Sequence, residues 1–568
     1  MSNQQSTINN LLLVLVWIVV GAGLRLTNLE LKPPWADEWA TIVFSLGHSF
    51  RSVPLNEMIS VEALLQPLQL DGTTQAGDVV EHLMTESTHP PLYFVLTHWW
   101  LKLTSEPGLV SVWAVRSLSA LFGVAAIPAM FGLGWLAGRS LFVGQISAAL
   151  MAVSPYGIYL AQEARHYTLA ILWIIASLCC LIVAIRHVRQ HSPPPILVIA
   201  AWVIVNSLGV ATHYFFALTL SGEIVVLLGF WLQDIQKRLT RYWLRIYAAV
   251  VGTFIGSAVW LSAWRSIPDN DLTQWIYHGN PLGSEFFEPI GRLCAWIVTM
   301  LFLLPVEGTP LLLTIISSVV ILCLLLWLCP LIVASWQRQM QQPSSRLTLQ
   351  ILGGFVIGVL AQFLLITYTI GTDLTLAARY QFIYFPAFLV LIGLVLADSW
   401  QSQKTSVKSA WFLSRGKRVL SVTLLASFIS GVIVIYNLGY QKADRPDLVA
   451  PLMLEAQRSE SDISVLIATV HKTHEQTGEM IGLAWELQRR SQSLENFRFL
   501  LAHQSSDEQV IAQTLYRAIA ELPRPFQLWI VNFAASSDLK GQNCLVESDF
   551  KGKVSGYQYR LYDCLRSQ

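Results

Sequence analysis

Charge is what this sequence has least of. Of 568 residues only 13% are Asp, Glu, Lys or Arg, against about 25% in an ordinary soluble chain. That deficit excludes a typical soluble enzyme. The net charge of +1 leaves no bulk positive field for nucleic acid, and no nucleic-acid partner is expected. The seven cysteines contain no C-x-x-C and no His/Cys metal spacing, so no metal centre is read from them. The segment after residue 440 has neither a Gly-rich phosphate loop nor a nucleophile elbow. Met1–Asn10 has no Lys or Arg, and no small-residue cleavage site follows. The first apolar run therefore reads as a retained helix rather than a removed signal.

What is present is hydrocarbon: 54% hydrophobic residues and 21 tryptophans. Tryptophan collects at bilayer interfaces, where its ring is amphipathic. Apolar runs long enough to span a membrane fall at about 11–28, 109–136, 139–155, 167–187, 195–212, 214–232, 244–264, 311–336, 347–370, 380–398 and 418–438, which makes about eleven. Two shorter pieces, 92–103 and 290–305, read as interfacial helices, with Trp99 and Trp100 at headgroup level. Counting both as spans gives about thirteen. Cys179, Cys180, Cys294, Cys323 and Cys329 lie in apolar stretches and read as buried.

Alternating the loops from an inside N-terminus tests this count. Arg139, Arg186, Arg189, Lys237, Arg238, Arg241, Arg245, Arg338, Arg346, Lys404, Lys408, Arg415, Lys417 and Arg418 then share the cytoplasmic side. Most acids fall on the other side, together with Asp37-Glu38, the loop 155–166 and the loop 371–379. Residues 441–568 change character. Strand-like runs at 463–470, 497–502, 526–532 and 557–563 alternate with helical patterns at 474–490 and 506–521. A small, largely parallel α/β domain is predicted there, accessory in role and on the outer side. If that side is oxidising, Cys544 and Cys564 can pair. The expected organisation is a membrane domain over 1–440, whose first external loop is 29–108, and an extracytoplasmic domain over 441–568.

Four short stretches carry chemistry. Asp37 and Glu38 are flanked by Trp35 and Trp39, which are expected to anchor them at the interface. A carboxylate there is partly desolvated, which raises its basicity. In His89-Pro90-Pro91-Leu92-Tyr93 the paired prolines end one segment and start a helix, turning His89 toward the same aqueous side. Ser154-Pro155 is followed by Glu163, Arg165, His166 and Tyr167. These charges are costly near lipid unless they pair or face a cavity, and Arg can bind phosphate bidentately. Arg379-Tyr380 is a second phosphate-clamp candidate. His213-Tyr214 reads as structural.

In this order and topology the four stretches resemble the GT-C class of glycosyltransferases, and more narrowly glycosyltransferase family 39 and the aminoarabinose-transferase relatives. The resemblance covers about residues 10–400. It implies a polytopic α-helical membrane fold and a polyprenyl-phosphate-linked sugar as donor. Asp37 becomes the base that activates an acceptor hydroxyl or amine for inverting attack, supported by Glu38. His89, where the family often has Lys, would help bind the donor phosphate, with Arg165 and Arg379 as further candidates, and Glu163, His166, Tyr167 and Tyr380 would complete the donor-phosphate and substrate-binding set. The acceptor, a lipid, glycan or protein, is not specified. No cofactor is expected, and a divalent ion at Asp37 stays open. The second reading is a transporter or flippase for a polyprenyl-linked glycan. That function calls for ionisable groups near mid-membrane and often internal repeats. A third reading is a membrane-anchored binding protein whose tail is the active part.

Overall fold

The structure is a computed structural model that describes residues 2–234, 239–260, 276, 283, 285–401, 410–458, 463–491, 493–504, 508–533 and 538–565. Lys237, Arg238, Lys404 and Lys408 lie outside the described residues. The chain forms two compact units. One comprises Met1–Leu29, Thr88–Tyr93 and Arg116–Tyr440; the other comprises Glu30–Ser87, Phe94–Val115 and Gln441–Gln568. Most of residues 29–108 fall in the same unit as Gln441–Gln568.

Among the described residues each of the eleven apolar runs is mainly helical; positions 261–264 of the run 244–264 lie outside them. Among the described residues seven helices are long and apolar enough to cross a membrane: Ile8–Leu26, Val112–Gly138, Tyr167–Arg189, Phe216–Gln233, Leu311–Gln341, Ser345–Ile370 and Gly416–Ile435. Ile196–Thr212 and Phe385–Gln401 are shorter, at 17 residues each, and the 18-residue Arg241–Ala258 is not among the seven. The two shorter pieces form the helices Leu92–Thr104 and Glu288–Thr299. Cys294, Cys323 and Cys329 lie on exposed helix faces, not in the core as expected; an apolar helix in lipid has no need to bury every apolar side chain.

The run 139–155 is not one straight helix. Leu141–Val153 and Pro155–Ala161 are bent by 57° at Ser154. Pro155 has no N–H to give to the carbonyl of residue 151 and forces a break. Ser154 Oγ caps the second piece by accepting from Gly157 N–H at 3.2 Å. The carbonyls freed on the other side are taken by a guanidinium from the first helix. Arg25 donates to Met151 O at 2.7 Å and to Ala152 O at 3.0 Å, and is itself fully buried. The fit requires glycine at 123, where a Cβ would meet Ala161 Cβ at 2.8 Å and Arg25 Nε at 3.0 Å. Gln162, just past the second piece, donates to Thr27 O at 2.9 Å. The bend and the loop after it are therefore tied to the first helix by polar bonds inside apolar packing.

The second unit contains a six-stranded sheet. Its strands, with two from a small ribbon, are β1 Met58–Ser60, β2 Gln69–Leu70, β3 Gly108–Leu109, β4 Ser464–His471, β5 Phe497–His503, β6 Phe526–Val531, β7 Cys544–Val554 and β8 Tyr557–Cys564. The order is β1-β5-β4-β6-β8-β7. β4 runs parallel to β5 and β6, as the alternating helices imply. The margins are antiparallel: β1 on one side, and β8 with β7 on the other. The sheet is therefore mixed. The hairpin β7–β8 is linked by Cys544–Cys564. Helix Glu508–Glu521 supplies Leu515, Ala518 and Ile519 to a core with Leu466, Leu500 and Leu528.

Replacing Arg25 with Leu would leave two buried carbonyls without donors, at roughly 1–3 kcal/mol each. Arg25→Leu should lower the thermal midpoint of the purified protein strongly, whereas Arg25→Lys should lose less. Unfolding measured in detergent for both variants checks this; an unchanged midpoint in Arg25→Leu would contradict the bonding described.

Candidate active site

The singled-out residues fall into two groups, one in each unit. Asp37 and Glu38 belong to the unit with the mixed sheet. They occupy the first turn of the ten-residue helix Ala36–Ser45, where acids are favoured by the helix dipole. Trp35 and Trp39 do not meet an interface: both are buried. Trp39 packs on Trp485 with ring centroids 5.3 Å apart, because helix Ala36–Ser45 lies against helix His474–Arg490. The close approach needs Gly478 and Gly482, whose Cβ atoms would fall 3.2 Å from Ala36 and Trp39 respectively.

The two acids have different surroundings. Glu38 is fully buried, and Lys442 Nζ stands 3.4 Å from its carboxylate. Asp37 remains partly exposed. Its charge bears on His474, which stacks on Phe50 with centroids 5.0 Å apart. Burial pushes His474 down to about 4, with Asp37 pulling the other way. Farther along the same helix, burial and the nearby Asp444 carboxylate push Glu479 up to about 8, opposed by a hydrogen bond from Asn532 Nδ2 at 2.8 Å.

The other group gathers in the helical unit. Glu163, Arg165 and His166, between the helices Pro155–Ala161 and Tyr167–Arg189, are buried to 1%, 2% and 0% exposure. Arg165 therefore does not snorkel to headgroups. Its Nη2 donates to His89 Nε2 at 3.0 Å. A guanidinium has no lone pair to accept with, so His89 accepts there and is neutral in this arrangement. Tyr93, from the same motif, is held at 2.6 Å by Ser119, which donates to Arg165 O at 2.9 Å. Tyr159 hydrogen-bonds Glu163. His166 lies 5.4 Å from His89, 4.8 Å from Tyr167 and 4.3 Å from His213, ring to ring.

Arg379-Tyr380 joins the same group. Tyr380 packs 4.7 Å from Phe215, which in turn stacks on His213. The loop before it is held by Arg292, which bonds Asp373 and Thr375, and by Tyr156, whose hydroxyl donates to Ala378 O at 2.9 Å. Burial holds His166 and His213 well below the usual imidazole range, and the Arg165 and Arg379 charges push both the same way. The group thus combines two guanidinium charges with imidazoles kept neutral. His89, Glu163, Arg165, His166, Tyr167, Arg379 and Tyr380 lie in this one group. His213, read as structural, belongs with them; its place between two apolar runs was the available signal. Among the described residues no group of three or more His, Cys, Asp or Glu is arranged to hold a metal.

No protein-family model matches the sequence, and no curated protein does. Solved structures do match in three dimensions. ArnT from Cupriavidus metallidurans bound to undecaprenyl phosphate aligns over 98% of each chain, with a TM-score of 0.51 at 13% identity. The apo state of that protein aligns over 100% of each chain, with a TM-score of 0.50 at 13% identity. This chain has the GT-C fold. The alignment runs through both units of the GT-C chain, so the mixed-sheet segment belongs to the shared architecture. It had been read as lying outside the resemblance.

The raised Glu479 pKa sets a pH dependence. The folded carboxyl keeps its proton up to about 8, whereas an ordinary one loses it near 4.5. Over that window the folded state binds the extra proton, so stability falls as pH rises. Glu479→Gln should flatten the decline between pH 5 and 8 and stabilise the protein at pH 8. Thermal unfolding across that range checks it; parallel curves for the two proteins would refute it.

Proposed function

We propose that this chain transfers a sugar from a polyprenyl-phosphate donor to an acceptor hydroxyl or amine, with inversion, at the outer face of the cytoplasmic membrane. The observation that carries the reading is the bond from buried Arg165 to half-buried His89, with the Arg379 charge bearing on His166. A leaving phosphate gains negative charge as the glycosidic bond breaks. Fixed guanidinium donors in a water-poor pocket stabilise that charge without reorganising. Arg165 and Arg379 are the donor-phosphate ligands in this scheme. His89 orients Arg165 by accepting its hydrogen bond, which is how a neutral His can stand where relatives have Lys. Glu163, His166, Tyr167 and Tyr380 complete the donor-binding group. Asp37 is the base, being the acid of the pair that keeps solvent access, and Glu38 supports it. The undecaprenyl phosphate in the ArnT structure supports a polyprenyl-phosphate ligand. The Cys544–Cys564 bridge supports an oxidising compartment for the sheet unit, in line with the basic loops assigned to the cytoplasm.

The flippase reading draws on one observation, the carboxylate of Glu223 midway along helix Phe216–Gln233. That group is sealed: it is buried and accepts from Ser177 at 2.5 Å and Trp202 at 3.2 Å. The adjacent cavity is walled mainly by apolar side chains.

The test is release of free polyprenyl phosphate by purified protein given polyprenyl-phosphate sugars and a membrane lipid extract as acceptor. Asp37→Asn should lower turnover by roughly 10²–10⁴-fold, and Arg165→Gln by roughly 10²-fold or more. Glu223→Gln should leave turnover near wild type. Wild-type turnover in Asp37→Asn would overturn the assignment of the base.

A further inference from the structure

The helix Ala36–Ser45 does not cap itself. Its N-cap residue, Trp35, offers no side-chain acceptor. The acceptor comes from 408 residues away: Ala36 N–H donates to Asp444 Oδ2 at 2.8 Å, a buried bond. Two residues earlier on the same strap, Lys442 reaches Glu38 at 3.4 Å, with side-chain exposures of 2% and 0%. The strap is therefore joined to residue 36 through the backbone and to residue 38 through the side chain. The residue between them is Asp37.

The strap is itself braced. Arg445 N–H donates to Ser555 O at 3.0 Å, and the Arg445 guanidinium holds both oxygens of Asp447 at 2.9 Å and Gln441 Oε1 at 2.8 Å. Gly556, in the β7–β8 turn with φ +81°, comes so near that a Cβ would lie 2.6 Å from Asp444 Oδ1. Asp444 thus has little freedom to move, and neither does the helix end it caps.

We propose that Lys442 and Asp444 are positioning residues for Asp37: they clamp the first turn of its helix on both sides and so fix where its carboxylate points. The proposal rests on Asp37 being the base. It assigns Glu38 to the clamp through its bond to Lys442, which explains why one acid of the pair is buried and the other is not. A displacement of about 1 Å at a reacting group can cost about 10²-fold in rate, so loss of the clamp should appear in kcat more than in KM.

The experiment measures kcat and donor KM, per folded protein, for Asp444→Ala, Asp444→Asn, the double variant Glu38→Gln/Lys442→Met, and Asp37→Asn. Asp444→Ala should lower kcat by about 10–100-fold with KM within about twofold, and Asp444→Asn, which keeps an acceptor, should recover most of it. The double variant leaves no buried unpaired charge and so avoids the folding loss expected of Lys442→Met alone; its kcat should also fall by about tenfold or more. Wild-type kcat per folded protein in both Asp444→Ala and the double variant would overturn the clamp, leaving only a structural role. If Asp444→Ala does not fold, the double variant and the Asn variant decide. Full turnover in Asp37→Asn would instead overturn the base assignment, a separate failure.

Discussion

A polar backbone group inside apolar packing must find a partner, and in the helical unit Arg25 supplies one. The break at Ser154-Pro155 frees the carbonyls of Met151 and Ala152 in a place without water. A guanidinium has enough donors to serve both and still reach Gly21 O. Because that demand is met, the chain can turn by 57° and carry Glu163, Arg165 and His166 into the interior instead of continuing straight. An Arg in the first apolar run would otherwise be an unexplained cost. Here it is what permits a charged loop to be buried at all.

The charged loop follows the same logic one step later. Arg165 is out of water, so its donors need acceptors and its charge needs company that does not repel it. Imidazoles held neutral by burial fit that need, since each can accept without adding a second positive charge. Lysine at position 89 would bring another ammonium beside Arg165, and the site would have to be arranged differently. Histidine and the buried arginine are best understood as one solution, with the charge on the arginine and the acceptor on the histidine.

Much of this was legible in the chain. Among the described residues the eleven apolar runs are mainly helical, as a backbone without other partners in hydrocarbon requires. The strands β4, β5, β6 and β8 stood out as alternating or continuous apolar runs. β7, Cys544–Val554, did not, since its pattern is largely exposed and polar. β1 is three residues long, too short for any periodicity. The motif residues of the helical unit were found from local cues, such as prolines and charges beside a span. His213 was undervalued because a single histidine carries no pattern until its neighbours are known. Trp35 and Trp39 were misplaced for the opposite reason: composition suggested an interface, whereas helix His474–Arg490 covers them. Lys442 and Asp444 were not legible either, since their partners lie some four hundred residues earlier.

That separation has a consequence for how the molecule is made. The edge strand β1 pairs with β5, and the cap on Ala36 comes from Asp444. Bringing such distant segments together costs loop entropy that only late contacts repay. While a ribosome is still making the intervening spans, residues 30–60 have no sheet to join and the helix of Asp37 has no cap. The acid is among the first residues synthesised and among the last to receive its partners. A chain stalled before Gln441 would carry the described apolar helices and the guanidinium cluster, yet the helix of Asp37 would lack Lys442, Asp444 and the helix His474–Arg490 it lies against. The helix of Asp37 thus gains its cap and its packing partner only once the segment 442–490 exists.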